Sequence, residues 1–359
     1  MTTSPAQLGV PLRGYTTLRL GGPARRFVAA ATAGDLVDAV RAVQADGEPL
    51  LVLGGGSNLV IADGGFDGTV VHVATRGFDV AESDRTAGGR VLTVEAGEDW
   101  DTVVARTVAD GYGGLECLSG IPGLVGATPV QNVGAYGVEI ADLLLSVDLL
   151  DRRRGVVRTV HRDELGLRYR TSSLKNTDAA VVLRIRLALH PDGRSSPVRY
   201  AELARTLGAE PQSRLPAARV REAVLELRRS KGMVLDEADH DTWSAGSFFT
   251  NPVLPDVELA AVLPRIAART PDPVPRYPAG AGHTKLPAAW LIERAGFHRG
   301  HPGPGGRVAL SDKHTLALTN RGHASTADLL ALAREIAGGV HAAFGVCLHP
   351  EPVLVNCAL

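Results

Sequence analysis

The chain has 359 residues, 45% hydrophobic and 21% charged, with 38 basic and 39 acidic side chains and a formal net charge of −1. That length exceeds what one hydrophobic core usually serves, so two or three domains are expected. The charge balance offers no electrostatic footprint for nucleic acid, and three cysteines in so long a chain exclude a disulfide scaffold.

Elements follow in order. Leu36, Val40 and Val43 recur at helical spacing, and Leu50 to Leu53 reads as a buried strand running into a glycine-rich turn. Val91 to Ala96 is a further strand; Asp99 caps the next helix, whose apolar stripe is Trp100, Val103, Val104, Thr107 and Val108. Residues 120–137 are glycine-rich and unlike any regular element. Strands return at 147–150 and 156–160. The basic Arg152 to Arg154 between them reads as a solvated hairpin. Val181, Leu183, Ile185, Leu187 and Leu189 alternate with Arg184 and Arg186, a strand with one wet face. After a loop at 190–197, residues 216–231 form a helix with Val220, Val224 and Leu227 on one side. A polar stretch at 236–243 and a proline-rich passage at 264–278 precede helices at 286–295 and 325–344, with an exposed loop at 298–306.

Cys117, Cys347 and Cys357 form no C-x-x-C and no zinc spacing, so no metal is expected, and the thiols suit a reducing compartment. The first twelve residues lack the pattern of a secretory signal, and no apolar run approaches membrane-spanning length. A cytoplasmic protein without membrane or nucleic-acid partners is expected.

Two glycine-rich loops stand out, and neither is G-x-G-x-x-G after a strand or a P-loop. In the first, Gly54, Gly55 and Gly56 free the backbone to point N–H groups into one concavity suited to a pyrophosphate, with Ser57 and Asn58 as added donors. A plain tight turn is the alternative. The second carries Gly120, Ile121, Pro122 and Gly123, then Gln131, Asn132, Gly134, Ala135, Tyr136 and Gly137. So many glycines cost entropy and bury little. A large flat ligand lying against the backbone accounts for them, with Gln131 and Asn132 bonding its polar edges.

Three further places join a reactive side chain to an unusual context. Arg170, in Tyr169 to Lys175, presents a fork suited to a carboxylate, or is a surface arginine. Ser247, in Gly246 to Pro252, lies beside two phenylalanines that can dry its hydroxyl. It sits in no G-x-S-x-G elbow, so a proton donor or a capping serine fits better than a hydrolase nucleophile. Glu351 is held between Pro350 and Pro352, as a fixed carboxylate or as an acidic turn residue.

Taken together, these motifs resemble the UDP-N-acetylenolpyruvoylglucosamine reductase family of peptidoglycan precursor synthesis. The match begins at Thr17-Leu18-Arg19-Leu20-Gly21-Gly22 and includes Ala288-Ala289-Trp290-Leu291-Ile292-Glu293, so it spans nearly the whole chain in the family's order. The resemblance implies an α+β fold: a two-part FAD-binding region of the p-cresol methylhydroxylase type and a smaller α+β substrate domain. The expected spans are 14–190 for the FAD-binding region, 191–215 for a connection over the substrate, 216–342 for the substrate domain and 343–359 for a returning strand. It further implies a non-covalent FAD reduced by NADPH. Hydride then passes from flavin N5 to the enolpyruvyl ether of UDP-N-acetylglucosamine. Arg170 and Glu351 match the pair that stabilises the enolate-like charge, and Ser247 the proton donor. Tyr200 looks like the tyrosine that one subgroup folds over the substrate diphosphate, or else a core-packing aromatic. Asn251 and Lys231 match substrate-binding positions, with Lys231 at an altered spacing to Ser247. Thr250 and Leu174 depart from the family's usual lysine and phenylalanine. A monomer is expected. Left open are another FAD oxidoreductase of this fold acting on an alcohol or hydroxy acid, and a nucleotide-sugar binder without catalysis.

Overall fold

The computed structural model describes residues 5–83 and 88–359. The chain divides into two compact units, each gathered from separate stretches. The first is built mainly from residues 24–56 and 67–234; the second combines 11–23, 57–66 and 235–359.

Among the described residues the first unit contains two larger sheets. A four-stranded sheet takes the order Gln7–Pro11, Pro23–Ala30, Phe66–Val73, Leu50–Leu53, the last two strands being parallel. The helix Ala33–Ala45 buries Leu36, Val37 and Val40 in the core of this unit, and Val43 is buried on the same helix. It starts where Thr32 and Asp35 form a capping box, which satisfies N–H groups that the first helical turn leaves unpaired.

The second sheet is antiparallel, in the order Val156–His161, Leu144–Asp151, Ala180–Leu189, Arg90–Glu95, Phe78–Glu82. The alternation expected over 181–189 holds: Val181, Leu183, Ile185, Leu187 and Leu189 are buried. Arg184 pairs with Glu95 across the strand register, and Arg186 forks onto Asp148 at 2.8 and 2.9 Å. Asp99 accepts from Thr102 N at 2.8 Å to start the helix Trp100–Ala109. The helix Ala217–Ser230 closes this core with Val220, Ala223 and Val224.

The second unit packs three helices, Asp256–Ala267, Ala288–Arg294 and Thr326–Phe344, with short strand pairs. Leu59–Ile61 runs parallel to Val353–Val355, and Val308–Leu310 pairs antiparallel with Leu318–Asn320. Leu18, Leu20 and Val60 are buried in the same core as Phe248, Ile336 and Phe344. The helix Asp256–Ala267 has no counterpart in the sequence reading. Pro264 lies inside it, but so near its end that only the last turn loses a donor. Among the described residues, no helix is long and apolar enough to cross a membrane.

Candidate active site

In the first unit the two glycine loops meet backbone to backbone. A Cβ added to Gly55 would lie 2.7 Å from Gly123 Cα, and one on Gly126 would lie 2.6 Å from Ala96 Cβ. The second loop is anchored beside the Trp100–Ala109 helix. Trp100 N donates to Gly123 O at 3.0 Å, Val125 N to Glu98 O at 2.9 Å and Gly120 N to Asp101 at 2.6 Å. Burial alone would raise Asp101; the Arg221 fork and the Gly120 N–H outweigh it and hold its carboxyl below the usual range.

Gln131 and Asn132 differ. Asn132 is buried, and its amide donates to Glu139 at 2.7 Å and to Arg168 O at 3.0 Å, while accepting from Ala141 N. The expectation that its side chain faces a ligand is corrected accordingly: its amide is committed to the chain. The carbonyl oxygen of Gln131 is buried without a partner, the condition of a group reserved for a ligand. The loop ends in a two-residue hairpin, Gly134–Ala135 against Val138–Glu139, with Tyr136 (φ 51°) and Gly137 (φ 83°) at its tip. Two positive φ values mark a type I′ turn. Glycine adopts them freely, whereas tyrosine is strained there, as residues at functional sites often are.

Arg170 stands on an equally tight turn. Arg168 and Thr171 exchange backbone hydrogen bonds at 3.0 and 3.1 Å, leaving Tyr169 and Arg170 (φ 53°) at the tip. The turn is braced to the second glycine loop by Asn132 through Arg168 O and by Ser172 Oγ, which donates to Val130 O at 2.6 Å. Lys175 donates to Arg170 O at 3.0 Å.

Tyr200 and Lys231 reach the same neighbourhood. The Tyr200 ring meets Tyr136 edge-on at 5.5 Å, and Lys231 donates to Glu202 at 2.6 Å. Burial pushes the Tyr136 phenol up to about 12.

Arg228 was not singled out from sequence. It donates through Nη2 to Met233 O at 2.7 Å, while its Nε is buried without a partner. Burial lowers its pKa, and Tyr136, Asp101 and Arg170 are the charged or ionisable groups it feels. The signal was a basic run, Arg228-Arg229-Ser230-Lys231, ending an amphipathic helix. Which arginine turned inward was not readable from spacing.

The second unit gathers the other proposed residues. Ser247 bridges Ala317, and Phe248 N donates to Leu316 O at 2.7 Å. Glu351 N donates to Phe248 O at 2.8 Å, so the serine and the carboxylate stand on paired segments, one residue out of register. Asn58 joins them: Val353 N donates to Asn58 O at 2.9 Å, and Asn58 Nδ2 to Glu351 O at 3.4 Å. Phe248 and Phe249, each 1% exposed, follow Ser247 in sequence and pack edge-to-face with each other. Asn251 accepts from Ala288 N at 2.9 Å, which fixes the start of the helix Ala288–Arg294. Ser57 is half-buried beside Asn58.

The first unit suits a large flat cofactor. Two orphaned buried polar atoms, on Gln131 and Arg228, sit with the touching glycine loops. A Cβ on Gly54 would meet nothing nearer than Leu124 Cβ at 4.0 Å, so no packing against the protein explains that glycine.

Comparison with known proteins agrees. The model for the C-terminal domain of UDP-N-acetylenolpyruvoylglucosamine reductase matches residues 237–355, and that for an FAD-binding domain matches residues 24–161. A protein of Saccharopolyspora erythraea named UDP-N-acetylenolpyruvoylglucosamine reductase is 69% identical over 98% of this chain and 96% of its own length. One of the same name from Nocardia farcinica is 56% identical over 100% of this chain and 92% of its own. The crystal structure of UDP-N-acetylenolpyruvylglucosamine reductase from Thermus caldophilus superposes with a TM-score of 0.65, at 25% identity, covering 98% of both chains. The α+β fold with an FAD-binding region of the p-cresol methylhydroxylase type is thereby established. The chain belongs to the UDP-N-acetylenolpyruvoylglucosamine reductase family.

Proposed function

We propose that this chain is a cytoplasmic enzyme of peptidoglycan precursor synthesis, reducing the enolpyruvyl ether of UDP-N-acetylglucosamine to UDP-N-acetylmuramate with NADPH as reductant. The identity to the Saccharopolyspora erythraea reductase over almost the full length of both chains carries the reading. When bound, FAD reduced by NADPH would supply hydride chemistry for the terminal alkene carbon of the substrate. Gly54 to Gly56 and residues 120–137 would hold it, with Gln131 and Arg228 offering the polar atoms that the chain leaves unpaired. Asn132 braces this loop from behind.

Hydride addition places negative charge on the carbon beside the substrate carboxylate. Arg170 meets that carboxylate with a guanidinium fork, an interaction that strengthens as charge develops. Ser247 gives its hydroxyl proton to the carbon, and the dry floor of Phe248 and Phe249 favours transfer from so weak an acid. Glu351, joined to Phe248 through its backbone, is the second group at the developing enolate, acting as the acid or through a water. Tyr200 and Lys231 take the substrate diphosphate, and Asn251 supports the sugar end. A monomer is proposed.

The two half-reactions separate these roles. Ser247→Ala is expected to let NADPH bleach the flavin at the wild-type rate while slowing reoxidation by the UDP-sugar about a hundredfold or more. Equal losses in both halves would remove Ser247 as the proton donor.

A further inference from the structure

Lys231 is the C-terminal cap of the helix Ala217–Ser230, and its ammonium is held 2.6 Å from Glu202. Glu202 lies in the first turn of the helix Ala201–Leu207, two residues after Tyr200, the residue that precedes that helix. The Tyr200 ring packs edge-on against Tyr136, and Tyr136 in turn feels the charge of Glu202. One carboxylate therefore stands among an ammonium and two phenols, all in the first unit. Ammonium and phenolic O–H groups are the donors that also suit the oxygens of a diphosphate.

The two side chains of this ion pair are 33% and 34% exposed. Pairs with that much solvent are weak and readily exchanged. A doubly charged ligand can take the ammonium from a singly charged carboxylate.

We propose that Glu202 is an internal stand-in for the anionic ligand, holding Lys231 in place until a nucleoside diphosphate displaces it. The inference rests on the reading of Lys231 as a diphosphate ligand. Glu202 has two effects. It keeps the ammonium fixed beside the helix that Tyr200 precedes rather than loose in solvent. It also sets a threshold: every anion that enters must outcompete a resident carboxylate, so Glu202 weakens binding while ordering the site. Displacing it removes the tie between the Tyr200 helix and Lys231, which frees Tyr200 to fold onto the ligand.

UDP is the probe, titrated into the FAD-loaded enzyme by calorimetry. Glu202→Gln is expected to tighten UDP binding about threefold to fivefold, the range that a weak surface pair sets. Lys231→Met is expected to weaken UDP, and in that background Glu202→Gln should give no further change. A role for Glu202 confined to helix stability would persist without Lys231, so the double variant separates the two. Wild-type or weaker UDP binding by a normally folded Glu202→Gln enzyme overturns the proposal, as does a gain that survives Lys231→Met. Unchanged binding in Lys231→Met alone instead sinks the assignment of Lys231, and the proposal with it. If Glu202→Gln loses its fold, Glu202→Asp serves: withdrawing the carboxylate by one methylene should shift affinity in the same direction, and no shift counts against the inference.

Discussion

Asn132 and Gln131 are adjacent amides with opposite surroundings. Their suitability for a flat polar ligand was legible from residue type, but which one faced inward was not, because that depends on the left-handed turn at Asn132 (φ 45°). The structure gives Asn132 three partners and leaves the Gln131 oxygen with none. Asn132→Ala is thus expected to loosen the Arg168–Thr171 turn and to slow flavin reoxidation by substrate while retaining FAD. Gln131→Ala is expected to purify with less flavin per chain, read from the ratio of flavin to protein absorbance. Gly54 and Gly55 make a similar contrast. A methyl at Gly55 strikes the Gly123 backbone, so Gly55→Ala should destabilise the protein by about 1–3 kcal/mol. Gly54 has room, so Gly54→Ala should keep the wild-type unfolding midpoint without cofactor and yet bind FAD more weakly; unchanged affinity would remove Gly54 from the cofactor site.

Elements with clear start signals were legible in the sequence, and those with a conflicting residue were not. Asp99 and Ser325 begin helices where apolar periodicity begins, and both accept from the N–H three residues on. The helix Asp256–Ala267 carries Leu259, Val262 and Ile266 at helical spacing, yet Pro264, where the proline-rich passage begins, falls inside it. The Arg170 turn was legible as a motif but not as a strained one, since nothing in its sequence demands a positive φ. At the start of the helix Thr326–Phe344, Asp328 closes the capping box and accepts a fork from Arg307 at 2.9 and 2.5 Å. The Arg307 fork, chiefly, holds its carboxyl well below the usual range against the opposing effect of burial. A lowered folded pKa contributes stability above the unfolded value of about 4 and loses it as pH falls through the folded value. Asp328→Asn should therefore lower the unfolding midpoint at neutral pH, with the gap from wild type narrowing toward about pH 2. A gap that stays constant with pH would show that the charge of Asp328 is not what stabilises this helix start.

On the scale of the whole molecule, the sequence suggested contiguous spans, whereas the compact units interleave. Hydrophobic periodicity reports which face of an element is buried, not which core receives it. For that reason 11–23 and 57–66 could not be assigned from pattern to the core that holds 235–359. The helix Ala217–Ser230 packs with the first unit although it lies next in sequence to the second. A fragment of residues 235–359 lacks Leu18, Leu20 and Val60 of its own core and the strand that pairs with Val353–Val355. Expressed alone, it is expected to bind a hydrophobic dye and to melt without a cooperative transition. Adding 11–23 and 57–66 through short linkers should restore cooperativity.

The parallel pairing of Leu59–Ile61 with Val353–Val355 also bears on how the protein is made. During translation the earlier strand leaves the ribosome long before its mate exists, so the second core cannot close until residues 353–355 have been made. Until that mate is synthesised, the nascent protein carries an unzipped edge that only its own later residues can cover.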